Sequence, residues 1–156
     1  MIFRVKRGPV LLWTINTAVQ RTNERAADIT GANPVAIADY YQVAVFEVKC
    51  TNNLNLALTD IRIYGALSAA NAFPPGATAP IFCRPVAGSI PVLTTNTGVT
   101  VLGSLPGNGA VASAANLIVP GNLILEYSTG APGATPNFTA EIRALFLGSP
   151  FYGVDP

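Results

Sequence analysis

The chain has 156 residues, of which 50% are hydrophobic and only 11% charged, with a net charge of +1. This is long enough for one domain that buries roughly 68–70% of its unfolded surface, and the near-zero charge supplies no field to collect nucleic acid or an anionic membrane. Histidine is absent, which removes histidine acid–base work, histidine-activated nucleophiles and histidine-ligated zinc together.

In chain order, the start MIFRVKRGPVLLWTINT has a basic opening (Arg4, Lys6, Arg7), but Thr14, Asn16 and Thr17 interrupt the apolar run after Trp13. A secretory leader needs an apolar core of about 7–15 residues, so the expectation is a strand made in the cytoplasm. Leu11, Trp13, Ile15, Thr17 and Val19 share one phase of a period-two alternation, the mark of a half-buried strand. Gly8-Pro9 sets Met1–Arg7 apart as a candidate arm. Gln20 to Pro34 is polar and reads as a long loop with one helical turn around Asn23–Ala27.

A second strand is expected from Tyr40 to Thr51, with Ala44, Phe46, Val48 and Cys50 inward and Val43, Val45, Glu47 and Lys49 on the other face. Asn52-Asn53 reads as a turn, because asparagine tolerates positive φ. Leu54, Leu56 and Leu58 continue at even positions, and then the phase flips to Ile61 and Ile63. That flip predicts a bulge or tight turn at Thr59-Asp60.

Between Ile63 and Leu125 the only charged side chain is Arg84, while prolines and glycines recur throughout. A bilayer helix wants about 20 uninterrupted apolar residues, so no membrane span is expected. Short strands are expected at Ile81–Arg84 and Ser89–Leu93, which Pro85 and Pro91 make edge or bulged strands, and at Val99–Leu102. Leu117–Val119 and Leu123–Tyr127 read as a hairpin around Pro120-Gly121-Asn122. The last strand places Phe138, Ala140, Ile142, Ala144 and Phe146 inward, opposite Thr139, Glu141 and Arg143. After Ser149-Pro150 come Phe151 and Tyr152. Eight or more short strands without a helix predict an all-β, antiparallel β-sandwich or jelly roll as a single domain over 1–156, with assembly arms at 1–9 and 148–156.

Candidate chemistry is sparse. Eight carboxylates are present, and only Glu126 and Glu141 fall on strands expected to be neighbours, the spacing a glycosidase pair requires. A surface charge cluster of Glu141 with Arg143 is the simpler reading. No acidic cluster fits calcium, and Gly103–Gly109 lacks the Lys-Ser/Thr ending of a phosphate loop. Cys50 and Cys83 admit either one disulfide or two buried thiols, and the phase of Cys50 favours a buried thiol. Trp13, Tyr40, Tyr41, Tyr64, Phe73 and Phe82 hold mostly core-phase positions, which disfavours a sugar-stacking platform.

The segment YYQVAVFEVKCTNNLNLALTDIRIYG resembles the strand–turn–strand unit of immunoglobulin-like and related β-sandwich modules, and implies fold alone. In its charge-poor Ala/Gly/Pro/Thr-rich β composition the whole chain is similar to small capsid decoration or cement proteins of tailed phages, which sit on a shell as oligomers, often trimers. The resemblance implies a non-enzymatic virion protein without cofactor or metal. Its partners would be itself and a larger protein shell, with no nucleic acid or membrane. Ile2, Phe3, Val5, Phe151 and Tyr152 are the candidate assembly contacts. The alternatives are an extracellular appendage subunit that joins a filament by strand addition and a carbohydrate-binding β-sandwich.

Overall fold

The computed structural model describes residues 5–37, 43–66, 81–83, 98–102 and 121–148. The strands are β1 (Val5–Thr17), β2 (Ile29–Thr30), β3 (Val35–Ala36), β4 (Val43–Leu54), β5 (Leu58–Ala66), β6 (Ile81–Cys83), β7 (Gly98–Leu102), β8 (Asn122–Thr129) and β9 (Asn137–Gly148), and the described residues contain no helix. Two antiparallel sheets result, ordered β2-β1-β9-β4-β7 and β3-β8-β5-β6. Among the described residues, strands longer than two residues number seven, four in the first sheet and three in the second, rather than the eight or more expected. The two-residue β2 and β3 extend one edge of each sheet.

The pairings nest. β1 pairs with β9, β3 with β8, β4 with β7 and β5 with β6, so that each pair encloses the next along the chain. β4–β9 and β5–β8 contacts then complete the sheets. Both sheets contribute to one core, with Trp13, Ile15, Phe46, Val48, Phe138, Ile142 and Phe146 from the first facing Ile61, Ile63, Leu123, Leu125 and Tyr127 from the second. The architecture is all-β and sandwich-like.

β9 sits between β1 and β4, and its inward row alternates large and small: Phe138, Ala140, Ile142, Ala144, Phe146. The two alanines leave room for bulky register neighbours, since Ala144 lies opposite Phe46, and Ala140 opposite Ile15 on one side and Cys50 on the other. Ile142 is flanked by Trp13 and Val48. Such interdigitation is how a core reaches crystal-like density without strained rotamers. Cys50 is a buried free thiol, and burial pushes its pKa up.

Several expected boundaries move for local reasons. A register shift between Leu11 and Trp13 changes the phase of β1; Leu11 is therefore 47% exposed while Trp13, Ile15 and Thr17 are buried, and Val19 lies past the strand end. Gly8-Pro9 is a bulge inside β1 rather than a boundary before it, because Val5, Lys6 and Arg7 pair with Gly148, Leu147 and Phe146. Gly8 has φ of 113°, and a Cβ there would lie 2.5 Å from the Ala144 carbonyl oxygen, so glycine is required. Asn52-Asn53 lies within β4, and the chain turns at Asn55, with φ of 49°. A register shift between Leu58 and Asp60 accounts for the phase flip at Thr59. The expected strands at Leu117–Val119 and Ser89–Leu93 lie outside the described residues, while β8 itself pairs with β5 and β3.

Phe46 is fully buried and lies between Ala144 and Leu102 in register. Truncating such a phenylalanine removes its transfer energy and leaves a cavity, so Phe46→Ala should lower unfolding free energy by about 3–5 kcal/mol, measured by urea denaturation. An unchanged midpoint would show that this position is not in the core.

Candidate functional site

The densest polar chemistry lies on the side of β8 and β5 that faces away from the core. Along β5, Ile61 and Ile63 point into the core, which leaves Asp60, Arg62 and Tyr64 on the opposite side. Along β8 the same alternation directs Leu123, Leu125 and Tyr127 inward and Ile124 and Glu126 outward. Yet Tyr64, Ile124 and Glu126 are 0%, 2% and 1% exposed. This outer face is therefore covered, in part by the strap of residues 21–34.

The strap is built from its own polar residues. Arg21 donates from Nε and from a terminal nitrogen to Asp28 Oδ2 at 2.8 and 2.6 Å, closing the loop at its base. Glu24 turns its carboxylate back on the chain and accepts from the amides of Arg25, Ala26 and Ala27 at 2.8–2.9 Å. Those donors are what a first helical turn leaves free, but no helix follows. Burial raises the Glu24 pKa, yet the three amides and nearby Arg21 outweigh it and hold the group below its ordinary range. Asp28 is likewise lowered, with burial overcome by Thr17 and Arg21.

The strap then pairs with the exposed edge of β8 by three devices. Tyr127 and Glu24 exchange backbone hydrogen bonds at 2.8 and 3.0 Å, and Thr129 N–H donates to the Arg21 carbonyl at 2.9 Å. The Asn33 side chain mimics a strand, accepting from Leu125 N–H and donating to the Leu125 carbonyl, both at 2.9 Å. Beyond it β3 takes over at Leu123. An open strand edge is a template for unwanted pairing, and here that edge is filled from Asn122 to Thr129.

At the centre stands Glu126. Arg25 Nε donates to its Oε2 at 2.8 Å, and the Tyr64 hydroxyl donates to its Oε1 at 3.1 Å, with Arg62 3.6 Å from the same oxygen. The Arg25 guanidinium carbon lies 5.0 Å from the Tyr64 ring centroid, within cation–π range. Arg62 also donates to Asp60 at 2.6 Å. Two carboxylates and two guanidiniums thus balance, and both Glu126 oxygens are engaged. The cluster is a closed lock on the strap. Glu126 and Glu141 do not come together, because β8 and β9 belong to different sheets, and Glu141 pairs with Arg143, as the simpler reading has it.

Of the expected assembly contacts, Val5 is the first residue of β1 and pairs with Gly148. Ile2, Phe3, Phe151 and Tyr152 lie outside the described residues. The strap network was not legible in the sequence, although the clustering of Arg21, Glu24, Arg25 and Asp28 in an otherwise charge-poor chain was its trace. Among the described residues no group of three or more metal-ligating acids, cysteines or histidines converges, and no helix is long and apolar enough to cross a membrane. Comparison with family models, with curated proteins and with solved structures gives no match.

Two measurements probe this site. Removing one member of a buried ion pair strands its partner, so Glu126→Ala should cost about 3–5 kcal/mol. Glu141→Gln breaks a half-buried surface pair with Arg143 and should cost about 1 kcal/mol or less. Equal losses would contradict the lock. Tyr127, which donates to the Ala27 carbonyl at 3.2 Å, has its pKa pushed up to about 12 by burial and then by the Asp28 charge. A raised folded-state value means stability that is complete below the ordinary value of 10.0 and lost as pH climbs through about 12. Urea midpoints should fall across that window in the native chain, and Tyr127→Phe should flatten the fall.

Proposed function

We propose that this chain is a jelly-roll structural assembly protein of a virion, either a capsid decoration (cement) protein or a small capsid subunit, acting through protein–protein contacts without catalysis. The observation that carries the reading is the nested pairing of β1 with β9, β3 with β8, β4 with β7 and β5 with β6. A long hairpin rolled up into two sheets produces that order; the seven longer strands fall into it, and the two-residue β3 supplies the partner of β8. Double-sheet jelly rolls are used by viral capsid proteins, lectins and cupins.

The other uses fit less well. Metal chemistry of the kind that relies on histidine ligands has no histidine to draw on. A lectin-like platform needs exposed aromatic rings, whereas among the described residues Trp13, Phe46, Tyr64, Tyr127, Phe138 and Phe146 are all buried. Joining a filament by strand addition needs an open edge. The β8 edge is filled by the strap, and the β1 edge is broken by the Gly8-Pro9 bulge and a second register shift, devices that discourage edge pairing; β6 and β7 form the other two edges. The proposed contacts run through faces, loops and chain ends, with partners that are further copies of the chain, as a dimer, trimer or larger ring, and the surrounding shell. Synthesis in a host cytoplasm and residence in the virion follow from the same reading.

Sedimentation velocity at micromolar concentration should reveal a homo-oligomer, and the purified protein should show no hydrolase, transferase or redox turnover. A standard interface buries about 800 Å² per partner. A strictly monomeric species that also fails to bind any protein shell would contradict the proposal, as would turnover abolished by Glu126→Gln.

A further inference from the structure

The charged side chains described fall into two groups. Those of the strap and of β5 and β8 are consumed within the subunit, as set out above. Of the others, Glu47 and Lys49 on β4 and Glu141 and Arg143 on β9 share the outer face of the larger sheet. Glu47 lies opposite Arg143 in register, and Lys49 opposite Glu141. The four charges form a two-by-two checkerboard. Glu141 and Arg143 pair with each other along β9 at 2.6 Å, whereas Glu47 and Lys49 make no ion pair among the described residues. The next register row holds Val45 opposite Leu145.

We propose that a second copy of this chain docks on this face, about a two-fold axis that runs along the strands midway between β4 and β9. The proposal rests on the assembly reading and names its surface. Such a rotation exchanges β4 with β9 of the partner in every row. Glu47 then meets the arginine column and Lys49 meets the glutamate column. Each charge that lacks an ion pair within the subunit gains one across the interface, and no like charges meet. An isologous interface needs this self-complementarity, and sheets pack face to face with their strands within about 30° of each other. Strands β4 and β9, which the axis lays on each other, have 12 residues each. At about 4.8 Å between strands and about 3.4 Å per residue they offer roughly 390 Å² in flat projection, about half of the ~800 Å² per partner of a standard interface, and β1 and β7 flank them on either side.

Two charge reversals test it on the full chain. Lys49→Glu makes both facing columns acidic at that row, and Glu141→Lys makes both basic. Each variant alone should dissociate about 100-fold more readily than the native dimer in sedimentation equilibrium. Mixing them should restore dimers, because the introduced carboxylate at position 49 then faces the introduced amine at position 141 of the other subunit. The native dimer should also weaken as salt is raised. That series, run on the unaltered chain, reads the same interface should a reversal lower the melting temperature. If both reversals leave the association unchanged, or if each variant dissociates and mixing does not restore dimers, this surface is wrong while assembly elsewhere stands. A native chain that stays monomeric overturns the interface; only failure to join any shell as well overturns the assembly reading.

Discussion

The inward row of β9 is the constraint on which the rest depends. It is the one strand in contact with both β1 and β4, so its side chains set the spacing of the whole larger sheet. The alternation of Phe138, Ala140, Ile142, Ala144 and Phe146 allows Trp13, Ile15, Phe46 and Val48 to approach from both sides without collision. Because the chain ends of the described part, β1 and β9, meet here, the rolled pairing closes on itself. An enlarged residue at Ala140 or Ala144 would force the neighbouring phenylalanine or isoleucine out of its rotamer, at a typical 1–3 kcal/mol for overpacking.

A charge-poor chain places its few charges with consequence. One set is turned inward around Glu126 and the strap, where it fills a strand edge and covers an outer sheet face. Buried ion pairs of this kind contribute little net stability compared with apolar residues, so their value lies in the placement they dictate: the strap has one register against β8, given by Glu24, Asn33 and Arg25. The other set lies on the outer face of β4 and β9, where acid and base alternate. The first set leaves the β8 edge filled, and the second gives adjacent rows of β4 and β9 opposite charges.

Much of the fold was legible because strand alternation is a direct image of burial. The inward positions of β9 and of Phe46 and Val48 on β4 were read correctly, as was the bulge at Thr59. Where strand phase and boundaries were misread, a single extra residue was responsible. The register shift beside Leu12 sends Leu11 outward, and Asn52-Asn53, chemically a good turn, is carried through as strand because β9 continues to pair with it as far as Asn137. The neighbour relations of the strands were not legible, since nothing local tells β8 to join β5 rather than β9. For the same reason Glu126 and Glu141 looked adjacent and are not. The strap network depends on residues about 100 positions apart, such as Arg25 and Glu126, a separation that no local pattern reports.

The central claim is that this rolled β-fold works by joining other protein subunits. Electron microscopy of the purified chain, alone and mixed with shells from its native source, tests it most directly. The account predicts closed oligomers of defined symmetry and regularly spaced density for this chain on the shell. Isolated monomers together with bare shells would contradict it, and open fibres would favour the appendage reading instead.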